Sequence, residues 1–333
     1  MKTLFIAEAG VNHNGNLNLA KKMIIIAKES GADFIKFQTF DAKNLTVLNA
    51  KKAPYQAQNT HKKKETQYLM LKKYQLSIKD HYFLIKECKK NKINFLSSPF
   101  DIPSIKLVKK LKLKYIKIPS GEITNFSYLE EVGKLKKRII LSTGMSNLKE
   151  IKEALKILIS NGTKKKDITV MHCHTAYPTY AQNVNMKAML TIKKKLNINI
   201  GYSDHTVGPE ASLLAVSLGA KIIEKHFTTN RKLAGPDHLA SSTPGELKQL
   251  IISIKKIEKM IGSEVKIATA EERKNIKIVR KSIYAKKSIL KGDRFNKRNI
   301  IALRPERGIS ANKWFNLLKI KSKKNYEPGD IIE

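Results

Sequence analysis

Cysteine, tryptophan and arginine are all scarce in this 333-residue chain: two Cys, one Trp and eight Arg. With only Cys88 and Cys173 there is no disulfide framework, which fits a reducing compartment such as the cytoplasm. No apolar run approaches the roughly 20 residues of a membrane span, so no membrane partner is expected. The opening Met1-Lys2-Thr3-Leu4-Phe5-Ile6-Ala7-Glu8 meets a carboxylate too early for a secretory signal. The shortage of Arg also qualifies the charge. Lys+Arg total 65 against 28 Asp+Glu, a net charge of +37, yet the cation is almost all Lys, spread along amphipathic segments. A nucleic-acid binder concentrates Arg and aromatics in patches, and no recognition motif is present, so no nucleic-acid partner is expected. The charge reads as solvated helix faces whose field favours small anions.

What the chain does have is periodicity. Apolar residues make up 41% of it, enough for a sizeable core. Strands are predicted over Leu4–Ala9, Phe34–Thr39, Asn94–Ser98, Tyr115–Ile118, Arg138–Ser142, Ile168–His172, Ile198–Tyr202 and Ala220–His226. Helical patterns alternate with them, from Leu17–Ser30 to Leu247–Ile261. Eight such units in about 260 residues predict an α/β fold, a closed (β/α)8 TIM barrel. A doubly wound open sheet is the alternative, but the G-x-G-x-x-G fingerprint is missing after the first strand. The barrel domain is expected over 1–266, followed by a charged linker over 267–277. Turn signals such as Lys291-Gly292-Asp293 and Pro328-Gly329-Asp330 then mark a small β-rich domain over 278–333. The long segment Lys43–Lys64 reads either as a lid or as a surface loop.

A barrel places its chemistry at the C-terminal ends of its strands, and polar residues recur there. Glu8, Lys36, Gln38, Ser97, Ser98, Lys117, Ser120, Glu122, Ser142, Thr143, His172, His174, Thr175, Ser203, Asp204, His205, Glu224 and His226 all lie on or just after strands. Lys36 and Lys117 interrupt apolar strands, and a buried lysine needs a partner. With Ser98, Ser120 and Ser142 they make either a phosphate cradle or an internal Lys–Glu pair. His205 and His226 end neighbouring strands, so they either meet at a divalent cation, Mn2+ or Mg2+, or are bonded to carboxylates. Cys173, between His172 and His174, cannot join both because strand neighbours point to opposite faces, and it reads as core. Glu8 and Glu122 suit a ligand to metal-bound water, a base or a hydroxyl anchor, which spacing cannot separate.

Together these words resemble the bacterial nonulosonic acid (sialic acid) synthases. The resemblance rests on Ile6-Ala7-Glu8-Ala9-Gly10-Val11-Asn12-His13-Asn14-Gly15, Lys36-Phe37-Gln38-Thr39, Ser97-Ser98-Pro99-Phe100 and Lys117-Ile118-Pro119-Ser120-Gly121-Glu122. It continues through Ser142-Thr143-Gly144-Met145, Gly201-Tyr202-Ser203-Asp204-His205-Thr206, Glu224-Lys225-His226-Phe227-Thr228 and Gly235-Pro236-Asp237-His238. It spans essentially the whole chain. Arg304-Pro305 and Gly308-Ile309-Ser310 resemble the signature of the family's antifreeze-like (SAF) domain.

The resemblance implies a transferase that condenses phosphoenolpyruvate with an N-acetylated mannosamine-type sugar and releases phosphate. Lys52-Ala53-Pro54-Tyr55-Gln56 and the Phe37 and Phe40 positions are similar to the branch that makes N,N′-diacetyllegionaminate from 2,4-diacetamido-2,4,6-trideoxymannose. N-acetylneuraminate synthesis from N-acetylmannosamine is the alternative. By the same resemblance, His205 and His226 would hold the metal. Lys36, Ser98, Lys117, Ser120, Ser142 and Ser203 would hold phosphoenolpyruvate, with Tyr177 nearby. Glu8 and Glu122 would work at the reacting centre or the sugar hydroxyls, Lys117 beside them, and Gln38 and Asp237 would position the sugar. Arg304 would reach the partner's barrel in a domain-swapped homodimer. Glu306-Arg307, His174 and Ala176 depart from the family pattern. From chemistry alone a metal-dependent barrel aldolase is the runner-up. A nucleic-acid-binding module and a non-catalytic sugar-binding protein stand further off.

Overall fold

Short runs rich in Ile, Val, Phe and Tyr, which suit a pleated surface buried on both faces, become the strands of one parallel sheet. A computed structural model describes residues 2–60 and 64–333. The strands are β1 (Leu4–Gly10), β2 (Phe34–Thr39), β3 (Asn94–Pro99), β4 (Tyr115–Ile118), β5 (Arg138–Ser142), β6 (Ile168–Cys173), β7 (Asn199–Asp204) and β8 (Ile222–His226). The helices of this first unit, which reaches to Gly262, are α1 (Leu17–Ser30), α2 (Ala42–Leu45), α3 (Pro54–Asn59), α4 (Gln67–Tyr74) and α5 (Ile78–Lys90). They continue with α6 (Ile102–Lys110), α7 (Phe126–Lys134), α8 (Leu148–Ser160), α9 (Lys187–Leu196), α10 (Glu210–Ser217) and α11 (Pro244–Ile261).

The strand order β3-β2-β1-β8-β7-β6-β5-β4 is that of a (β/α)8 barrel. Closure is not complete: β3 and β4 run side by side without a hydrogen-bonded ladder between them. β2, β4, β5, α1 and the end of α11 at Ile261 have the bounds expected from sequence, whereas β7 extends to Asp204 rather than ending at Tyr202. Helix ends are set by local chemistry. Asn16 caps α1 through Asn18 and Leu19 N–H groups, and Asn147 with Glu150 forms a capping box on α8.

The period of two along each strand sorts its side chains. Inward residues Ile6, Phe34, Leu96, Ile140, Met171 and Ile222 plug the barrel floor. Outward residues such as Ile35, Leu141, Val170 and Ile223 pack under the helices in the main core. Gly201 is inward because a Cβ there would meet the Met171 sulfur at 2.4 Å. The side chains one step above this floor therefore aim at a common mouth.

The segment between β2 and α5 is not a bare loop. It forms α2, α3 and α4 and carries its own small apolar cluster, Phe40, Ala42, Met70 and Leu71. Lys52 staples it, donating to Thr60 Oγ1 at 2.8 Å and pairing with Glu65 at 3.1 Å, and Glu65 also pairs with Lys73. Of the stretch 43–64 expected as a lid or surface loop, residues 61–63 lie outside the described residues.

The second unit, Ser263–Glu333, begins with α12 (Ala270–Val279), a helix in place of part of the expected linker. Thr269 and Glu272 form its capping box. β9 (Ser282–Ala285) pairs antiparallel with β10 (Ile300–Leu303), and a one-turn helix α13 (Trp314–Leu317) follows. Ile283, Ile289, Phe295, Ile300, Tyr326 and Ile332 form this unit's separate core.

Candidate active site

Four inward side chains make a buried ion cluster just above the barrel floor. Lys36 Nζ lies 3.3 Å from Glu8 Oε2 and 3.0 Å from Glu224 Oε1. Lys117 Nζ donates to the same Glu224 oxygen at 2.8 Å. Lys36 also donates to Ser98 Oγ at 3.2 Å, and Ser203 Oγ donates to Glu224 Oε1 at 3.2 Å. The internal Lys–Glu pairing anticipated as one alternative is thus present, with both ammonium groups lining the cavity.

Register explains the assembly. Glu8 pairs with Lys36 on one side and His226 on the other, and Ser203 pairs with Glu224. A bulge in β1 between Glu8 and Gly10 turns the backbone there, and Gly10 has φ +52°. A Cβ on Gly10 would meet Glu8 Oε1 at 3.2 Å and the His226 ring at 3.3 Å, so glycine lets the chain pass this close.

His205 and His226 do come together, with ring centroids 5.5 Å apart. His205 Nδ1 donates to the His174 carbonyl, which fixes the tautomer and leaves Nε2 unprotonated, 3.4 Å from Ser203 Oγ, whose proton is directed to Glu224. His226 Nδ1 is buried and has no hydrogen-bond partner among the described residues. Burial lowers the His205 pKa to about 4. Burial, then the neighbouring His205 and Lys36, push His226 well below the usual histidine range. Both imidazoles are therefore neutral at pH 7, the form that binds a metal. Tyr177 stacks on His205 at 4.1 Å, and Tyr55 from α3 stacks on Tyr177 at 4.9 Å.

The charges in the cluster are uneven. Burial opposes ionisation of Glu224, but Lys117 and Lys36 overcome it and hold its pKa far below the carboxylate range. Burial also opposes the Lys36 charge, and Glu224 with Glu8 reverses that and raises its pKa. For Lys117 burial wins over Glu224, helped by repulsion from Lys36, and its pKa is lowered. Burial dominates at Glu8 despite Lys36, and raises it to about 7. Buried Asp237 is pushed up to about 7 by burial alone.

The cavity above the cluster measures about 420 Å³, within the range of small-molecule sites. Gln38, Ser98, Ser120, Glu122, Ser142 and Asp237 border it, as do the clustered groups above. Ser120 Oγ accepts from the Gly144 N–H at 2.9 Å, whereas the buried Ser142 Oγ has no partner among the described residues. Glu122, buried and accepting from Asn125 Nδ2 at 2.8 Å, has its pKa raised by burial. Arg304 belongs to the second unit, where it is exposed after β10.

Not every polar residue at a strand end faces this site. Ser97 bonds Thr39 at 2.5 Å, Thr143 donates to the Met171 carbonyl at 2.9 Å, and His172 donates to the Val184 carbonyl at 2.8 Å. Cys173 is buried, as expected of a core residue, but it also reaches the site. It sits inward above Met171, lines the cavity and lies 3.3 Å from Ser120 Oγ. Sequence reasoning saw Glu224 as polar but missed its place between the lysines. The signal was available: in Ile222-Ile223-Glu224-Lys225-His226, period two puts Glu224 with inward Ile222 and His226.

Comparison with known proteins agrees with this geometry. The model of the NeuB family matches residues 23–266. The chain is 53% identical to an N,N'-diacetyllegionaminic acid synthase of Campylobacter jejuni subsp. jejuni serotype O:2, covering 99% of each chain. It is 43% identical to the enzyme of the same name from Legionella pneumophila, covering 100% of this chain and 94% of that one. A crystal structure of N-acetylneuraminic acid synthetase from Leptospira borgpetersenii, in complex with citrate, superposes with a TM-score of 0.72 at 33% identity, covering 83% of this chain and 90% of that one.

Proposed function

The chain belongs to the NeuB family, and we propose that it is a nonulosonic acid synthase that condenses phosphoenolpyruvate with 2,4-diacetamido-2,4,6-trideoxymannose, giving N,N′-diacetyllegionaminate and phosphate. The observation that carries this reading is the buried meeting of two ammonium groups and two neutral imidazoles at one barrel mouth.

Lys36 and Lys117, with Ser98, Ser120, Ser142 and Ser203, hold the phosphate and carboxylate of phosphoenolpyruvate. Glu224 keeps the two ammonium groups in register. Two ammonium groups face one fixed carboxylate, Glu224, and Glu8, raised to about 7, adds only a partial negative charge at neutral pH, which suits an anionic substrate. The His205 and His226 nitrogens fit a divalent cation, because one is left unprotonated by the His174 contact and the other is buried without a partner. No group of three or more His, Cys, Asp or Glu suited to a metal is present among the described residues, so His205 and His226 would be the side chains that hold the ion. Manganese suits imidazole better than magnesium, which is bound mainly through carboxylates and water. When bound, the ion polarises the acceptor's aldehyde oxygen.

The enol carbon of phosphoenolpyruvate attacks that aldehyde carbon. Positive charge develops at C2, and water adds there. Glu8, raised to about 7 and so ionised in part of the molecules at neutral pH, takes the proton from that water in its carboxylate form and returns it to the alkoxide at the former aldehyde carbon. The tetrahedral intermediate expels phosphate by C–O cleavage, and Lys36 and Lys117 stabilise the departing charge. Gln38, Glu122 and Asp237 anchor the sugar, and Tyr177 covers the imidazoles. The second unit is read as the antifreeze-like domain, with Arg304 reaching the sugar in a partner's barrel in a domain-swapped homodimer. Two buried free cysteines fit a cytoplasmic enzyme, and no helix among the described residues is long and apolar enough to cross a membrane.

The test is phosphate release from phosphoenolpyruvate with Mn2+, comparing the diacetamido sugar with N-acetylmannosamine. Release that depends on sugar and metal, and is faster with the diacetamido sugar, is expected. Release without sugar contradicts the reading. The lowered pKa of buried Lys117 also suits a Schiff-base aldolase. Borohydride trapping of pyruvate on Lys117 would establish that second reading instead.

A further inference from the structure

The cavity's ion pairs are gathered on one side, with Glu122 and Asp237 as separate carboxyls on its border. Lys36, Lys117, Glu8, Glu224 and the two imidazoles occupy the floor side. Another side is walled by Leu45, Met70, Leu71 and Tyr74, from α2 and α4. These side chains are anchored in the small cluster built on Phe40 and Ala42, which is separate from the barrel cores. Most of the polar atoms beside this wall are engaged elsewhere, the Tyr74 hydroxyl and Gln67 Nε2 excepted. Gln56 Oε1 accepts from the Ala53 N–H at 3.0 Å, and Gln67 Oε1 accepts from Thr46 Oγ1 at 3.3 Å. Lys52 is turned to Thr60 and Glu65. What Met70 and Leu71 add to the cavity is hydrocarbon, from side chains only 2% and 8% exposed.

We propose that this α2–α4 wall is the specificity determinant for the acceptor, reading the methyl groups of a deoxygenated C6 and a 4-acetamido substituent. The inference rests on the synthase reading above. An aldehyde held at the imidazoles, with phosphoenolpyruvate at the lysines, leaves the rest of the sugar no route back into the ion cluster. Its distal carbons lie toward the mouth, where the wall is. The diacetamido trideoxy sugar presents methyl groups there. N-acetylmannosamine presents hydroxyls at C4 and C6, which find no free acceptor or donor on Leu45, Met70 or Leu71. An apolar pocket discriminates against an added hydroxyl by only about 100-fold, which bounds the selectivity this wall can supply.

Met70→Gln keeps length while adding an amide, Met70→Leu keeps the hydrocarbon, and Leu45→Asn changes a half-buried side chain at the edge of the cluster. kcat/KM is measured for both sugars on the full chain with Mn2+, together with KM for phosphoenolpyruvate as a report on the ion cluster. The expected result is that Met70→Gln and Leu45→Asn each lower the ratio of diacetamido to N-acetylmannosamine kcat/KM by about 10-fold or more, while Met70→Leu retains it. Parallel loss with both sugars, or an unchanged ratio in a folded variant, overturns the wall's role. A wild-type protein that releases no phosphate with either sugar overturns the synthase reading itself. A wild type that favours N-acetylmannosamine overturns the wall's role and the choice of acceptor but leaves the synthase class standing.

Discussion

Two buried ion clusters sit one residue apart on β8, and they are built to opposite ends. Lys225 points outward, donating to Asp204 Oδ2 at 2.7 Å and to the Thr206 carbonyl at 2.8 Å. Asp204 accepts further bonds from Ser212 Oγ at 2.6 Å and from the Thr206 N–H and hydroxyl at 2.9 and 2.7 Å. That network is closed. Glu224 and His226 point inward, and there Glu224 Oε2, His226 Nδ1 and Ser142 Oγ have no hydrogen-bond partner among the described residues. A buried polar atom without a partner costs free energy, so a closed cluster reads as architecture and an open one as a place prepared for a ligand.

Breaking the closed cluster should cost the most. Lys225→Met leaves the Asp204 charge buried without its cation, a loss of about 3–5 kcal/mol, or roughly 10 °C in melting temperature for a unit of this size. An unchanged melting curve would show that the outer cluster does not hold the barrel. Lys36→Met should invert the pattern. Glu224 keeps Lys117, so stability falls less, while kcat/KM for phosphoenolpyruvate drops by about 100-fold or more. Parallel changes in the two variants would erase the distinction drawn here.

His205→Ala or His226→Ala should cut turnover by about 100-fold or more and abolish the response to added Mn2+. Normal turnover in either variant with metal chelated refutes the imidazole assignment. Arg304→Ala should raise KM for the sugar by about 10-fold, the scale of one lost charged contact, with KM for phosphoenolpyruvate unmoved. Unchanged sugar kinetics would remove Arg304 from the site. The smallest effect concerns Asp237, whose pKa is raised from 3.8 to about 7 by burial. The folded state holds that proton more tightly, so the contribution to stability is full below about pH 4 and is lost as pH rises through about 7. Asp237→Asn should therefore gain in melting temperature relative to wild type between pH 4 and 8, and parallel curves would mean the carboxyl is ionised throughout.

Much of this was legible in the chain because period two and period 3.6 leave clear marks. Glu8, Lys36, Ser98, Lys117, Ser142, Ser203, His205 and His226 were placed at one mouth from strand ends alone, and they border one cavity. Glu224 was misjudged, and the place of buried Cys173 at the cavity was missed, for one reason: parity along the strand was applied to the neighbours of Cys173 and not to Cys173 or Glu224. Both are inward, above Met171 and Ile222. The α2–α4 wall was invisible as structure because Lys, Asn, Gln and Ala over 40–68 carry little amphipathic signal, and its order comes from tertiary contacts such as Asn59 Nδ2 with the Pro236 carbonyl at 2.6 Å. The gap in the ladder between β3 and β4 leaves no sequence trace, since both strands read as ordinary apolar runs.

The most direct measurement is the fate of the bridging oxygen of phosphoenolpyruvate labelled with 18O between carbon and phosphorus. With 2,4-diacetamido-2,4,6-trideoxymannose and Mn2+ present, the account predicts sugar-dependent turnover in which the label leaves with phosphate. Label retained in the keto acid, or phosphate released at the same rate without sugar, would contradict it.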